Sequence, residues 1–198
     1  MKYPKKFTEL IECFEMFPGI GPKTAERLAF YAIDKQNQDN SLKFAQTLNE
    51  AVNSINECPI CGMINDSNMC EICKDDSRES KLMVVENSKD VISFEKTKAY
   101  KGKYHVLNGV ISPTNGIGPN DISLDKLLKR CEQEKFEEII IATSSTIDGE
   151  ITAMYIQKML SNVGCKVYRI GYGLPASTDI EYVDELTLIK SLEGRKEM

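Results

Sequence analysis

Nothing in this chain is long and apolar enough to span a bilayer. Its longest strongly apolar run is Ile139-Ile140-Ile141-Ala142, far short of a membrane helix. No charged-then-apolar leader opens the sequence, so a cytoplasmic protein is expected. Positive charge is also scarce. Lys and Arg number 25 against 30 Asp and Glu, a formal net charge of -5. Bulk attraction to a polyanion is therefore excluded, and any nucleic-acid contact has to be local or repeated over several subunits. There is one histidine, His105, and no nucleophile is paired with it. A structural role at a strand end is expected for it rather than acid–base catalysis. A phosphate-binding P-loop is missing too. In Gly21-Pro22-Lys23-Thr24 the first glycine of that motif is absent from its place, proline precedes the lysine and no strand leads in, which excludes ATP binding there. What remains is 41% hydrophobic and 28% charged, the balance of a soluble globular chain of one or two small domains.

Cysteine is the exception to this scarcity. Seven cysteines without a secretory leader point to reduced thiols and metal rather than disulfides. Four of them form two Cys-x-x-Cys pairs, Cys58 with Cys61 and Cys70 with Cys73, inside CPICGMINDSNMCEIC. A two-residue gap lets two thiolates of one tight turn reach the same ion, and two such turns complete a closed tetrahedral set, the preference of structural zinc. A redox Cys-x-x-Cys usually sits singly at a helix start beside a strand. A catalytic zinc needs an open position that four thiolates do not leave. Gly62 follows the first pair, where a positive φ is often needed. Cys13, Cys131 and Cys165 lie in apolar periodic contexts and are expected to be buried structural cysteines.

Before this knuckle the pattern is helical. Phe7, Leu10, Ile11 and Phe14 recur at helical spacing over residues 6–16. Pro22 suits the first position of a second helix, residues 22–33, that buries Ala25, Leu28, Ala29 and Ala32. Lys23 and Arg27, four apart, share its outer face. Helix, Gly19-Ile20-Gly21 and helix together resemble a helix-hairpin-helix motif. The physics agrees: Gly19 and Gly21 let the backbone approach a phosphate, the amides and dipole of the second helix face it, and Lys23 and Arg27 add contacts that read no sequence. A tight helical corner with strain-relieving glycines is the plainer alternative. A third helix over residues 40–56 carries Leu42, Ala45, Leu48, Val52 and Ile55 on one stripe. That stripe is most simply core, or else a subunit contact, since three short helices bury little alone.

After the knuckle, strands alternate with helices. Strands are expected at residues 81–86, 104–107, 138–142 and 166–170, and helices at 90–98, 123–134 and 150–161, with a long glycine- and proline-rich loop over 109–120. That alternation predicts a mainly parallel sheet covered on both faces, with ligands at the carboxyl ends of its strands. Acids gather there: Glu86 ends the first strand, Asp90 follows shortly, and Asp148 and Glu150 follow the third. A glutamate after the first strand and an acid-x-acid pair after the third resemble a Toprim domain, whose acids gather Mg²⁺ for phosphoryl transfer. Solvated acids at loop mouths are an equal alternative.

The order of the parts, with Leu28-Ala29-Phe30, Glu71-Ile72-Cys73, Val84-Val85-Glu86, Tyr104-His105-Val106-Leu107, Gly116-Ile117-Gly118-Pro119, Gly173-Leu174-Pro175, Ile180-Glu181-Tyr182 and Leu192-Glu193-Gly194-Arg195, resembles the RecR family of bacterial recombination mediators over nearly the whole chain. Two stretches depart from that family. Ser144-Ser145 and Ile147-Asp148-Gly149 stand for its Asn-Pro and Val-Glu-Gly, which keeps the acid. Ala176-Ser177-Thr178-Asp179 replaces a glycine-rich turn.

The resemblance implies an α+β multidomain chain. A helix-hairpin-helix module fills residues 1–56, a four-cysteine zinc finger 57–74, an α/β Toprim domain 80–175 and a Walker-B-like assembly tail 176–198. It implies a non-catalytic clamp or adaptor, nucleoid-associated, that binds single- and double-stranded DNA through Gly19, Gly21, Lys23 and Arg27. It also implies a ring tetramer acting with RecO and RecF to load recombinase at gapped single strands. Zn²⁺ would be structural, on Cys58, Cys61, Cys70 and Cys73. The mouth formed by Glu86, Asp90, Asp148 and Glu150 would receive a basic partner or hold Mg²⁺ weakly. A Mg²⁺-dependent Toprim nuclease is the alternative. The zinc knuckle itself is expected to be a joint between the helical module and the Toprim domain.

Overall fold

The structure, a computed structural model, describes residues 2–171, 173–174 and 178–195. The chain forms two compact units, residues 1–55 and 56–198. Pro175, Ala176 and Ser177, which include much of the departure after Gly173, lie outside the described residues.

The first unit has three helices, α1 (Lys5–Glu15), α2 (Pro22–Ile33) and α3 (Gln38–Ser54). The turn between α1 and α2 needs Gly19 at φ +82°, and Pro22 opens α2 at its first position, where its missing N–H costs nothing. Phe7 of α1 and the small Ala25 and Ala29 of α2 form the buried contact. The rings of Tyr3, Phe7 and Phe30 pack at its rim in edge-on or tilted pairs, with centroids 4.6 to 5.8 Å apart. Leu28 and Ala32 are half-buried rather than buried.

The third helix departs from the expectation of a core stripe. None of its residues is buried. Leu42, Leu48 and Val52 are exposed, Val52 to 74%, and so is Ile55 just past its end. Leu42, Ala45, Leu48 and Val52 line an open apolar cavity of about 920 Å³ with Leu10 and Phe14 of α1. The stripe has the expected period, but it closes no core within the unit. Cys13, expected to be buried, is exposed beside it. Of the other two scattered cysteines, Cys131 is buried and Cys165 half-buried.

The second unit begins with a two-stranded antiparallel hairpin, β1 (Asn56–Glu57) with β2 (Ile64–Asn65), followed by the one-turn helix α4 (Glu71–Lys74). A four-stranded sheet follows in the order β4-β3-β5-β6, every neighbouring pair parallel. Its strands are β3 (Glu79–Val85), β4 (Gly102–Val106), β5 (Glu138–Ile141) and β6 (Lys166–Arg169). The connecting helices are α5 (Ser88–Thr97), α6 (Leu124–Gln133) and α7 (Ile147–Met159), and α8 (Glu185–Glu193) comes last. The expected loop at 109–120 contains two short 3₁₀ turns, Pro113–Asn115 and Pro119–Asp121.

Alternation along the strands divides the core. Leu82, Val84, Ile139 and Ile141 point to the side of α6 and α7, where Leu124, Leu127, Ile156 and Leu160 meet them. Met83, Val85, Tyr104 and Val106 point to the other side, against Val91 of α5 and against Met63 and Ile72 of the cysteine segment. Each face of a parallel sheet thus has its cover, and on one face the cysteine segment supplies part of it. Arg78 anchors the entry to β3 through a two-pronged pair with Glu95, at 2.6 and 2.8 Å, and a bond to the Gly102 carbonyl.

Candidate metal centre and nucleic-acid interface

The four cysteines converge. Two tight turns bring them together: Gly62 N–H donates to the Cys58 carbonyl at 2.8 Å, and Lys74 N–H to the Cys70 carbonyl at 3.1 Å. All four Sγ atoms lie within 4.8 Å of one another, with Cys61 and Cys70 Sγ at 3.5 Å. Zinc–sulfur bonds of about 2.3 Å set tetrahedral sulfurs about 3.8 Å apart, so this donor set fits a closed tetrahedral ion. Cys58, Cys61 and Cys70 are buried and Cys73 half-buried, wrapped by Ile60, Met63, Met69 and Ile72. Burial pushes the Cys58 thiol up, but the amides of Cys70, Cys61 and Ile60 outweigh it and bring it to about 7. Burial pushes Cys70 up to about 11. Cys61 is held well above the ordinary thiol range by its bond to Cys73, by burial and by the neighbouring thiolates. Packed thiolates repel one another, and a bound dication is what relieves that repulsion. Among the described residues, this is the one group of three or more His, Cys, Asp or Glu side chains close enough to share an ion.

The segment is docked on the sheet. Its Cys61 carbonyl accepts from Val106 N–H of edge strand β4 at 2.7 Å. Asn108 Nδ2 donates to the Gly62 carbonyl at 3.2 Å, and Ser88 Oγ accepts from Ile64 N–H at 2.9 Å. Gly62 has φ +77°, and a Cβ there would meet the Val106 carbonyl at 2.6 Å. Glycine is therefore required twice, for conformation and for close approach. An edge strand left open invites pairing with another chain; the knuckle covers part of this one.

The candidate phosphate contact lies in the other unit. Gly21 starts α2 in extended conformation with no side-chain cap; Pro22 has no N–H and Thr24 N–H donates to the Gly21 carbonyl at 3.0 Å, so the Lys23 amide is the first-turn donor left for an outside acceptor. Lys23 and Arg27, one helical turn apart, are both exposed. No Cβ at Gly19 or Gly21 would meet anything within 4 Å, so the loop's outer side is open.

The acids at the strand ends belong to helix starts. Helix α7 begins at Ile147, earlier than the expected 150, so Asp148 and Glu150 both occupy its first turn. Thr146 caps that turn, its Oγ1 accepting from Gly149 N–H at 3.2 Å. Gly149 lets the preceding loop pass close: a Cβ there would collide with the Ser144 carbonyl. Glu86 follows β3 and accepts from Ser144 N–H at 2.6 Å. Asp90 accepts from Asn87 N–H at 2.8 Å, closing the first turn of α5. Asp148 accepts from Ser112 Oγ at 2.7 Å. Glu150 pairs with Arg169 at 2.7 Å. Glu86 and Asp90 line a cavity of about 280 Å³ with Phe94, Ser144 and Ile170, whereas Asp148 and Glu150 are absent from its lining. Arg169, which sequence reading missed, brings a cation to this region beside Glu150. A basic residue closing the fourth strand was the one available signal.

His105 sits fully buried in β4, where its Nε2 meets the Ser123 carbonyl at 3.0 Å. Burial draws its pKa down to about 4.

A glycine-hinged helical pair, a docked four-cysteine knuckle and a parallel sheet with acids at its strand ends define a modular nucleic-acid-binding protein. Comparison with known families makes this specific. Residues 7–52 match the model described as RecR, helix-hairpin-helix; 80–171 match the Toprim domain; and 173–196 match RecR, C-terminal. The chain belongs to the RecR family, whose domains carry DNA binding and a role in recombinational repair. Among the described residues no helix is long and apolar enough to cross a membrane.

Proposed function

We propose that this protein is a non-catalytic DNA clamp and adaptor that works with RecO and RecF to load recombinase at gapped single-stranded DNA. The observation that carries the proposal is the open turn at Gly19 and Gly21, followed by the exposed Lys23 and Arg27 on α2. Contacts of this kind hold phosphates without reading bases, so single- and double-stranded DNA are both bound without sequence preference. A net charge of -5 makes each contact weak, and a ring of several subunits multiplies it. The unclosed apolar face of α3 supports self-association through the helical unit. The metal is zinc, chosen by four soft thiolates in a closed set. The acids Glu86, Asp90, Asp148 and Glu150 offer a basic partner surface, such as RecO's, a docking place.

The test is salt-dependent DNA binding by Lys23→Ala with Arg27→Ala. The double variant should bind all sequences more weakly, and the slope of log K against log salt should fall by about 2 per subunit engaged. Unchanged affinity and slope would remove the hairpin from the interface. Glu86→Lys should weaken RecO binding and leave zinc content intact; unchanged RecO affinity would remove the acidic mouth as the docking surface.

A further inference from the structure

The acids of the Toprim sheet suggest a cation, yet their geometry leads elsewhere. A hard dication takes six or more oxygens, at least two or three of them carboxylates aimed at one point. Here each carboxylate has its own donor from a different part of the unit. Glu86 takes the Ser144 amide, Asp90 the Asn87 amide and Asp148 the Ser112 hydroxyl. Glu150 takes both Nε and Nη2 of Arg169, at 3.2 and 2.7 Å.

Arg169 does more than pair with one acid. Its Nη1 donates to the Ile141 carbonyl at 2.9 Å and its Nη2 to the Ser144 carbonyl at 2.9 Å. One guanidinium therefore joins the end of β5, the loop after it and the first turn of α7. Its planar fork of five donors suits this, and an ammonium group would not reach all three. The side chain is 23% exposed, and Glu150 beside it 36%. The same Ser144 residue that offers its carbonyl to Arg169 offers its amide to Glu86. The acid after β3 and the acid of α7 are thus bridged through a loop whose carbonyls face a cation.

We propose that Arg169 is the resident cation of this mouth. It ties the end of β5 and the loop after it to the first turn of α7, and it excludes a divalent ion by occupying Glu150. This role is independent of the DNA-binding reading, and it leaves Glu86, Asp90 and Asp148, with Glu150 already paired, to a basic partner.

The test is Mn²⁺ binding to the full, zinc-loaded chain, with free ion followed by electron paramagnetic resonance. The wild-type chain should show no saturable site below about 1 mM, the weak end of carboxylate sites. Arg169→Gln should gain one with at least about tenfold higher affinity, the scale of removing a like charge. Adding Glu150→Gln should abolish the gain. Saturable wild-type binding that Glu86→Gln or Glu150→Gln removes would overturn the proposal, and so would an Arg169→Gln chain that gains nothing. Should Arg169→Gln fail to fold, paramagnetic broadening in the wild-type amide spectrum decides. Unbroadened Ser144 and Glu150 amides at millimolar Mn²⁺ support the arginine, and selective broadening of these two overturns it.

Discussion

Replacing Gly62 by alanine should strain the protein at the contact that joins the cysteine knuckle to the sheet. Two costs combine. The residue has φ +77°, and a side chain in that region costs roughly 1–2 kcal/mol. The new Cβ would also lie 2.6 Å from the Val106 carbonyl oxygen, a backbone atom with no rotamer to change. Relief requires the knuckle to move from β4 until that contact approaches an ordinary separation. The Val106 N–H to Cys61 carbonyl bond, 2.7 Å long, runs across the same junction. Losing it and leaving buried groups unpaired costs a further 1–3 kcal/mol or so. The total is about 2–5 kcal/mol. Gly116→Ala is the control, since Gly116 has φ +70° and an added Cβ would meet nothing within 4 Å. It should cost only the conformational part, about 1–2 kcal/mol. Urea unfolding followed by circular dichroism, in matched zinc, compares the two. With a slope near 2 kcal/mol per molar urea, the Gly62→Ala midpoint should fall about 1 M further than that of Gly116→Ala. Zinc release to a chromogenic chelator should also be faster in Gly62→Ala alone. Equal midpoints for the two variants would refute the reasoning, because the close approach to Val106 would then carry no energy.

Other consequences are as direct. Val52→Asp should leave the helical unit folded, within about 0.5 kcal/mol as for other surface changes, because the residue is 74% exposed; it should lower the mass measured by light scattering, and an unchanged mass would remove the α3 face from assembly. His105 has its folded pKa drawn down to about 4 by burial, against about 6.5 when unfolded. The unfolded chain therefore binds the extra proton between those values, and stability should rise with pH across that window by at most about 3 kcal/mol. His105→Gln should flatten that part of the profile, and an identical slope in the variant would count against the assignment. Arg78 beside Glu95, with burial opposing it, holds that carboxyl below its usual range. The stabilisation is present above the ordinary glutamate pKa and is lost as pH falls through the lowered folded value. Glu95→Gln should cost about 1–2 kcal/mol at neutral pH, a half-buried charged bond, and the gap from wild type should close as pH falls through the lowered folded value; a gap that persisted in strong acid would show that the ion pair is not its source.

How far the chain could be read in advance depended on whether the determining contacts were local. The paired Cys58, Cys61, Cys70 and Cys73 were legible as a metal set because the spacing within each pair is a property of one turn. Pro22 at a helix start and a tight glycine turn at Gly19 were legible for the same reason, and the structure adds that Gly19 is left-handed. Strands and helices alternating after residue 80 were enough for a parallel sheet, since period and length are written along the chain.

Most differences arose where a distant partner decides. The stripe of α3 has the same period whether it meets its own unit or another surface, and only the packing left it exposed. One difference was local: helix α7 starts ahead of its strong periodicity because Thr146, three residues before Gly149, caps it, which draws Asp148 into the first turn beside Glu150. Gly62 was expected to bend the knuckle, but its approach to the Val106 carbonyl depends on an edge strand far along the chain. Local composition thus determined which elements form and which side chains are the candidates for metal and phosphate chemistry. The tertiary structure decided which donor each acid meets, that Arg169 stands among them and which apolar face stays open, because those depend on distances between residues that the chain does not keep close.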